Sequence, residues 1–507
     1  MSDATEGVPE GGVALSSARG RGVLAASVVA SGVALLDGTV VNAALPAIGR
    51  DFHVGLTSLQ WVVDAYLLTL GSLLILGGSL GDLLGRRRVF VIGLVAFSGA
   101  SAMCGLAPNA ITLEIARAVQ GIGGALLVPG SLALLSASIS AEDRSRAIGA
   151  WSGLSGVWTA VGPFAGGWLI SAASWRWVFL LNLPLTVAAV VLALRFVPES
   201  RDSSAGRVDV AGAVAVSVGL GGVVVALIEG PANGWAGLPG AAGVIGAAAL
   251  GAFMLIERRE RSPMVPLEMF AVRQFSGANV VTFAMYSALG VTTFLLVINL
   301  QRDLGYSPLE AGAALLPLTV MMLVGSARSA ALAQRIGPRL QMTVGPLSVA
   351  AGLALLSRLR PGDHYMSAVL PGAIVFGVGL TATVAPLTAA VLAAVEERHL
   401  GVGSAINNAV ARVAGLIAIA VVPSLAGVPS AASASAASWS RAAGRGLAIA
   451  ACLAAAAGVA AAFTISRVAR PDHRRPHHVD RGVLDCRPMP SAMRAVPDPS
   501  IKGSGAR

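Results

Sequence analysis

Leu35-Leu36-Asp37-Gly38-Thr39-Val40-Val41-Asn42-Ala43-Ala44-Leu45-Pro46 sets a carboxyl group inside an apolar run that extends from Val23 to Pro46. About 20 apolar residues suffice to cross a bilayer as a helix, and this run is that long. An acid at the centre of such a helix costs about 2.5–3.5 kcal/mol on insertion scales. A helix that needed only to be apolar would not carry Asp37. The residue reads as a functional acid facing a polar cavity or a charged partner, and the alternative is an acid held in a purely structural network.

The composition extends that reading to the whole chain. Of 507 residues, 55% are hydrophobic and 12% charged, against about 25% charged in soluble domains. The expectation is an all-α polytopic membrane protein. Cys104, Cys452 and Cys486 are scattered without disulfide or metal spacing, and His53, His364, His399, His473, His477 and His478 all fall outside the apolar runs. With Lys502 as the one lysine, no glycine-rich loop ends in the Lys-Ser/Thr pair that grips ATP phosphates. The sequence therefore predicts neither an enzyme nor a nucleic-acid binder. It predicts no metal or cofactor, and no nucleotide site of its own to power whatever work the protein does.

Apolar runs of membrane-spanning length number about fourteen. An even count puts both termini on one side. Arg19, Arg21, Arg86, Arg87, Arg88, Arg144, Arg146, Arg201, Arg207, Arg258, Arg259, Arg261, Arg273, Arg328, Arg335, Arg339 and Arg398 share that side, whereas the other has few arginines. By the positive-inside rule the arginine-rich side is cytoplasmic, in a multi-pass protein of the cell membrane. Gly85-Arg86-Arg87-Arg88 after the second run and Ile336-Gly337-Pro338-Arg339 after the tenth hint at an internal repeat. This offset divides the chain into a cytoplasmic leader (1–22, without a cleavable signal pattern), a six-helix half (23–197), two inserted helices with linkers (198–273), a second six-helix half (274–466) and a disordered basic tail (467–507).

At the arginine-rich end of the second run stands Gly78-Ser79-Leu80-Gly81-Asp82-Leu83-Leu84-Gly85-Arg86-Arg87-Arg88. Its glycines permit a tight turn, and Asp82 can reach a helix N-terminus or the arginines. This stretch resembles the loop signature of the major facilitator superfamily, which implies that Gly78, Asp82, Gly85, Arg86 and Arg87 form a conformational switch. In that family the acid docks at the start of a helix in the other half, here near Gly401–Ser404. The run Glu114-Ile115-Ala116-Arg117-Ala118-Val119-Gln120-Gly121 is similar to the family's fourth-helix motif, whose arginine is tied to proton coupling. At a rise of ~1.5 Å per residue, Arg117, Asp37 and Asp64 lie at comparable depth. The resemblance assigns proton coupling to Asp37, Arg117 and Asp64, while Asn42 and Gln120 are the candidates to line a substrate cavity.

In the fifth run, glycines three or four apart form a smooth strip for close helix packing, and Pro163 bends the helix. Written as Gly156-x5-Gly162-Pro163-x2-Gly166-Gly167, the strip resembles the signature of exporters within the superfamily. The Asp37 stretch, Trp61-Val62-Val63-Asp64-Ala65-Tyr66 and Trp175-Arg176-Trp177-Val178-Phe179-x2-Asn182-x-Pro184 resemble the fourteen-helix drug:proton antiporter branch, and Arg412-x2-Gly415 fits as well. The resemblance implies a monomeric exporter of amphipathic small molecules that works in membrane lipid and exchanges them for protons. Uptake by symport, or a receptor with a transporter-like body, are the alternatives. The inserted helices, 208–229 and 238–257, carry acids only at their ends. They are expected at the periphery, with Gly212, Gly219 and Gly222 turned toward the body.

Overall fold

The computed structural model describes residues 12–201, 209–260, 263–396, 400–429 and 436–466. Arg207, Arg261, Arg398, the first half of the leader (1–11) and the whole basic tail lie outside the described residues. The helices, in chain order, are α1 (Ala18–Phe52), α2 (Leu56–Leu84), α3 (Arg86–Gly105), α4 (Ala110–Ser138), α5 (Ala141–Ala172), α6 (Arg176–Leu180), α7 (Asn182–Phe196), α8 (Val210–Asn233) and α9 (Leu238–Arg259). There follow α10 (Arg273–Arg302), α11 (Pro308–Ala313), α12 (Leu316–Ile336), α13 (Pro338–Leu356), α14 (Leu370–Ala393), α15 (Leu400–Leu425) and α16 (Ala436–Thr464).

Among the described residues, 13 helical segments are long and apolar enough to cross a membrane. The fourteenth run of the sequence is α5, which is 32 residues long but diluted by its glycines, serines and the charged first turn Glu142-Asp143-Arg144. Two runs are interrupted by a proline. Pro184 has no N–H to give Leu180, so the sixth run breaks at Leu181 into α6 and α7, and Pro317 does the same to Ala313 between α11 and α12.

Helix ends follow local chemistry. Ser17 caps α1 by accepting from the Gly20 N–H at 3.0 Å, so the helix begins inside the expected leader. Asn109 caps α4 through the Thr112 N–H, and Ser307 with Glu310 forms a capping box on α11. Gly85 (φ 113°) and Gly337 (φ 83°) turn the chain between α2 and α3 and between α12 and α13 in conformations that a Cβ would strain. These are the two positions of the sequence repeat.

The packing recurs along the chain. Helix α1 packs on α5 and α7, and α4 packs on α2 and α3; likewise α10 packs on α15 and α16, and α14 on α12 and α13. The two sets meet where α5 touches α11 and α12, α1 touches α10, and α2 touches α15. Midway along, Gly71 of α2 meets Arg412 of α15, and further contacts between the sets lie toward the arginine-poor end. There the Gln301 side-chain N–H donates to the Ala43 carbonyl at 3.0 Å, and the Gln60 N–H to the Ile419 carbonyl at 2.7 Å. Gly167 lies against Pro308 and Leu309, and Gly312 against the Pro163 carbonyl. Toward the arginine-rich end, Gly149, Gly153 and Gly156 on α5 and Gly401 on α15 face open space. The fifth-helix strip is thus a packing surface over only part of its length.

Helix α8 packs on α9 and also on both α2 and α15. Its glycines correct the sequence reading. Gly219 and Gly222 face Leu250, Ala242 and Gly246 of α9, and Gly212 faces its own cap Asp209. Toward the body α8 instead presents Val224 and Ile228, which are buried with Leu416 and Ala420 of α15. Branched side chains supply the apolar area there, and the glycines serve the hairpin between α8 and α9.

Candidate functional site

Asp37 is fully buried on α1, and its two oxygens collect three donors. Arg117 of α4 donates from Nη1 to Oδ2 at 2.6 Å. Gln120, one turn further along α4, and Asn182, the first residue of α7, each donate a side-chain N–H to Oδ1 at 2.9 Å. Arg117 also donates to the Gln120 side-chain oxygen at 2.7 Å and, through Nε, to the Val62 carbonyl of α2 at 2.9 Å. Its guanidinium lies 4.2 Å above the Tyr66 ring. Ser101 of α3 accepts from Asn182 and Gln120 and donates to the Phe179 carbonyl at 2.8 Å.

In this buried ion pair both carboxylate oxygens have donors, three in all, and the guanidinium has further acceptors, which is the arrangement a buried pair requires. The local sequence explains the convergence. Arg117 and Gln120 are three apart and share a face of α4. The break at Pro184 frees the chain to place Asn182 at the head of α7. Asn182 was visible only as part of a motif, and Ser101 carried no signal at all, being one serine in an ordinary apolar helix.

Asp64 lies at the depth expected of it but not with the other two. It is fully buried, and neither carboxyl oxygen has a hydrogen-bond partner. On a helix, residues 62 and 64 point to nearly opposite sides, so Asp64 turns away from Arg117. Asn42 is buried too and stays apart from the Asp37 cluster; its amide donates to the Gly38 carbonyl one turn back at 3.2 Å, and its Oδ1 is unpartnered. Of the five candidate polar side chains, the structure brings Asp37, Arg117 and Gln120 together and leaves Asp64 and Asn42 outside the cluster.

The fifth-helix strip meets α1 beside the acid: Gly162 abuts Thr39 and the Leu36 carbonyl, and Gly166 abuts Val40. At the arginine-rich turn, Asp82 accepts from Arg86 Nε at 2.8 Å and remains 40% exposed. Glu199, which the sequence did not flag, accepts from the Arg87 and Arg88 backbone N–H groups at 3.0 and 3.2 Å, capping the positive end of α3. Gly78 faces Pro129 of α4, and Arg87 donates to the Val197 carbonyl at 3.1 Å.

A second polar cluster sits between α10 and α15. Asn407 donates to Asn279 at 3.1 Å and to Thr282 at 2.7 Å, while Asn279 donates to the Phe275 carbonyl at 2.9 Å. It is neutral throughout.

Comparison with known proteins agrees with the geometry. Residues 28–419 match the family model described as the Major Facilitator Superfamily. The chain is 38% identical over 394 residues to the puromycin resistance protein of Streptomyces alboniger, covering 76% of this chain and 78% of that one. It is 35% identical over 412 residues to the tetracenomycin C resistance and export protein of Streptomyces glaucescens, covering 80% and 76%. To the multidrug resistance protein Stp of Mycobacterium tuberculosis it is 35% identical over 411 residues, covering 79% and 75%.

Proposed function

The chain belongs to the major facilitator superfamily, and from that premise we propose that it is a proton-driven exporter of amphipathic drugs or antibiotics. The observation that carries the reading is the Asp37–Arg117 pair: a proton-accepting group and a fixed cation, 2.6 Å apart, inside a membrane-spanning bundle. The resistance and export proteins among the relatives support the direction of transport.

Protonation of Asp37 cancels its charge and releases Arg117 to its remaining partners, Gln120, the Val62 carbonyl and the Tyr66 ring. Loss of the proton restores the pair. The proton enters when Asp37 faces outside and leaves toward the cytoplasm. One proton crossing ~150 mV supplies about 3.5 kcal/mol, roughly 2.5 decades of gradient for a neutral substrate. No bound cofactor is needed, and the protein works as a monomer in the cell membrane with both termini cytoplasmic. With the arginine-rich end cytoplasmic, the joined arginine-poor end makes this the inward-facing state. Asp82, paired with Arg86 rather than docked near Gly401–Ser404, is then an open latch that closes on α15 in the outward-facing state.

The test is transport of puromycin and other amphipathic drugs into inverted membrane vesicles. Uptake driven by an acid interior and abolished by a protonophore is the expected result. Efflux from such vesicles would indicate symport, and no movement of any substrate would leave a receptor.

A further inference from the structure

Arg412 stands near the middle of α15, about 18 Å from one helix end and about 20 Å from the other. From that depth the guanidinium cannot snorkel to either surface. A cation at the centre of a spanning helix is costly and calls for a partner or a polar cavity. No partner is present: among the described residues nothing hydrogen-bonds to Arg412 or forms an ion pair with it.

Its surroundings hold the side chain without answering its charge. Arg412 leaves α15 opposite Gly71 of α2, where a Cβ would stand 3.3 Å from the Arg412 Cβ. Close by, Gly290 of α10 abuts the Gly415 backbone and Ser287 donates to the Ala414 carbonyl at 3.2 Å, which brings Tyr286 alongside. Arg412 acts electrostatically on the hydroxyls of Tyr66 and Tyr286, which carry no charge at neutral pH. Asp37 is already taken by Arg117. Asp64 shares a face of α2 with Trp61 and Leu68, which pack on α8 and α15, and lies about 10 Å along the helix from Gly71 with neither oxygen partnered. The other acids of the spanning helices stand near helix ends.

The open side is equally defined. Gly401, Ala405, Asn408 and Arg412 form one stripe on α15. Ala405 packs on the core of the first helix set, so the stripe faces the seam between the sets. Gly401 borders open space and Asn408 is exposed. The stripe thus leads from the arginine-rich end to a cation at mid-depth that is only partly buried.

We propose that Arg412 reads charge in the drug cavity and that the preferred substrates are amphipathic organic anions, a carboxylate or phenolate on an apolar body. The anion supplies the missing partner, and a guanidinium can bind a carboxylate through two parallel hydrogen bonds. Because the Asp37–Arg117 pair is balanced, Arg412 sets the sign of the cavity and disfavours a cation. An anion leaving the cytoplasm and a proton entering it both run down an inside-negative membrane potential, so the two movements are driven together. The inference names a substrate class for the exporter reading and rests on it.

The experiment is equilibrium binding to the full-length protein in nanodiscs of zwitterionic lipid, at neutral pH and without any gradient. The probes are pyrenebutyrate and (pyrenebutyl)trimethylammonium, which share an apolar body and differ in charge. Energy transfer from the protein's tryptophans reports binding, and empty nanodiscs give each probe's lipid background. The parent should bind the anion more tightly than the cation by about tenfold or more. Arg412→Gln should lose that preference while binding the cation as well as the parent does or better, which shows that the variant is folded. Arg412→Lys keeps the charge and should keep the preference.

A parent that binds no anion, or binds both probes alike, overturns the proposal. So does a preference of the same size in Arg412→Gln. If the glutamine variant binds neither probe, the lysine variant decides: loss of the preference there overturns the assignment, and its retention upholds it. Binding without a gradient can fail in these ways while acid-driven export in vesicles stands, and a failure of export leaves the charge preference to be read on its own.

Discussion

At the Asp37 cluster a carboxylate gathers a guanidinium and two amides from two other helices, whereas at Asn407 an amide donates to Asn279 and Thr282 and no charge takes part. Both clusters tie helices together at buried positions within their own set. Only the first contains a group that changes charge when a proton arrives. On the exporter reading, polar adhesion and proton chemistry are separable here: the first set of helices would carry both, whereas the Asn407 cluster offers adhesion without a titratable group.

Asp37→Asn is the largest test of that division. The amide still accepts from Gln120 and Asn182, so the cluster stays polar, but it exchanges no proton at any useful pH. Acid-driven drug transport in proteoliposomes should fall to background while the protein still inserts and binds drug. Transport near the parent's rate would move the proton site elsewhere and dissolve the comparison.

Next in size is Arg117→Gln. Removing one member of a buried pair leaves the other charge uncompensated and costs about 3–5 kcal/mol. Thermal unfolding in detergent should show a large drop, and adding Asp37→Asn to the same chain should restore part of it, because the stranded carboxylate is gone. A double variant as unstable as the single one would show that the pair is not coupled in this way.

How much of this was legible in the sequence differs between the two regions for a physical reason. A charge inside an apolar run is expensive, so Asp37, Arg117 and Asp64 announce themselves by position alone. Asn407, Asn279, Thr282 and Ser101 cost far less to place in a helix and leave no comparable mark. Depth was also readable, since 1.5 Å per residue puts all three charges at one level. Azimuth was not: whether Asp64 faces Arg117 or α8 depends on how α2 rolls against its neighbours, which no run of hydropathy records. The same limit explains α8, whose Gly219 and Gly222 were assigned to the body and face α9 instead. The fold itself was plain because apolar runs and arginine-rich turns are one-dimensional signals, and the joined and open ends of the bundle were not because they are contacts between distant segments.

Asn407→Ala should have a modest effect. It withdraws one donor group that serves two acceptors, and a lost hydrogen bond of this kind costs about 1 kcal/mol. Stability should fall slightly and the rate of transport with it, while the number of protons exchanged per drug stays unchanged. A change in that ratio, read from the reversal potential in proteoliposomes, would place proton chemistry in the second set as well.

The smallest effect on transport, and the sharpest test of the division, belongs to Asp303. It follows α10 at the arginine-poor end, nearly buried, with neither carboxyl oxygen partnered. Burial pushes the carboxyl up to about 6 and outweighs the Arg302 charge, which pulls the other way. The folded protein therefore holds this proton over a range in which the unfolded chain, with an ordinary value of 3.8, has released it. Where the folded state binds more protons, stability falls as pH rises. The Asp303 contribution is thus most favourable below about pH 4, declines up to about pH 6 and is fully unfavourable above that. Asp303→Asn removes the titration. Melting curves of parent and variant should nearly coincide at the acid end and separate above about pH 6, with the variant the more stable. The stoichiometry of drug and proton should not move, because this carboxyl stands outside the Asp37 cluster and outside the α2–α15 seam. A flat difference across pH would remove the titration; a shifted stoichiometry would mean that a carboxyl of the second set does transport work, and the line drawn between the two regions would be in the wrong place.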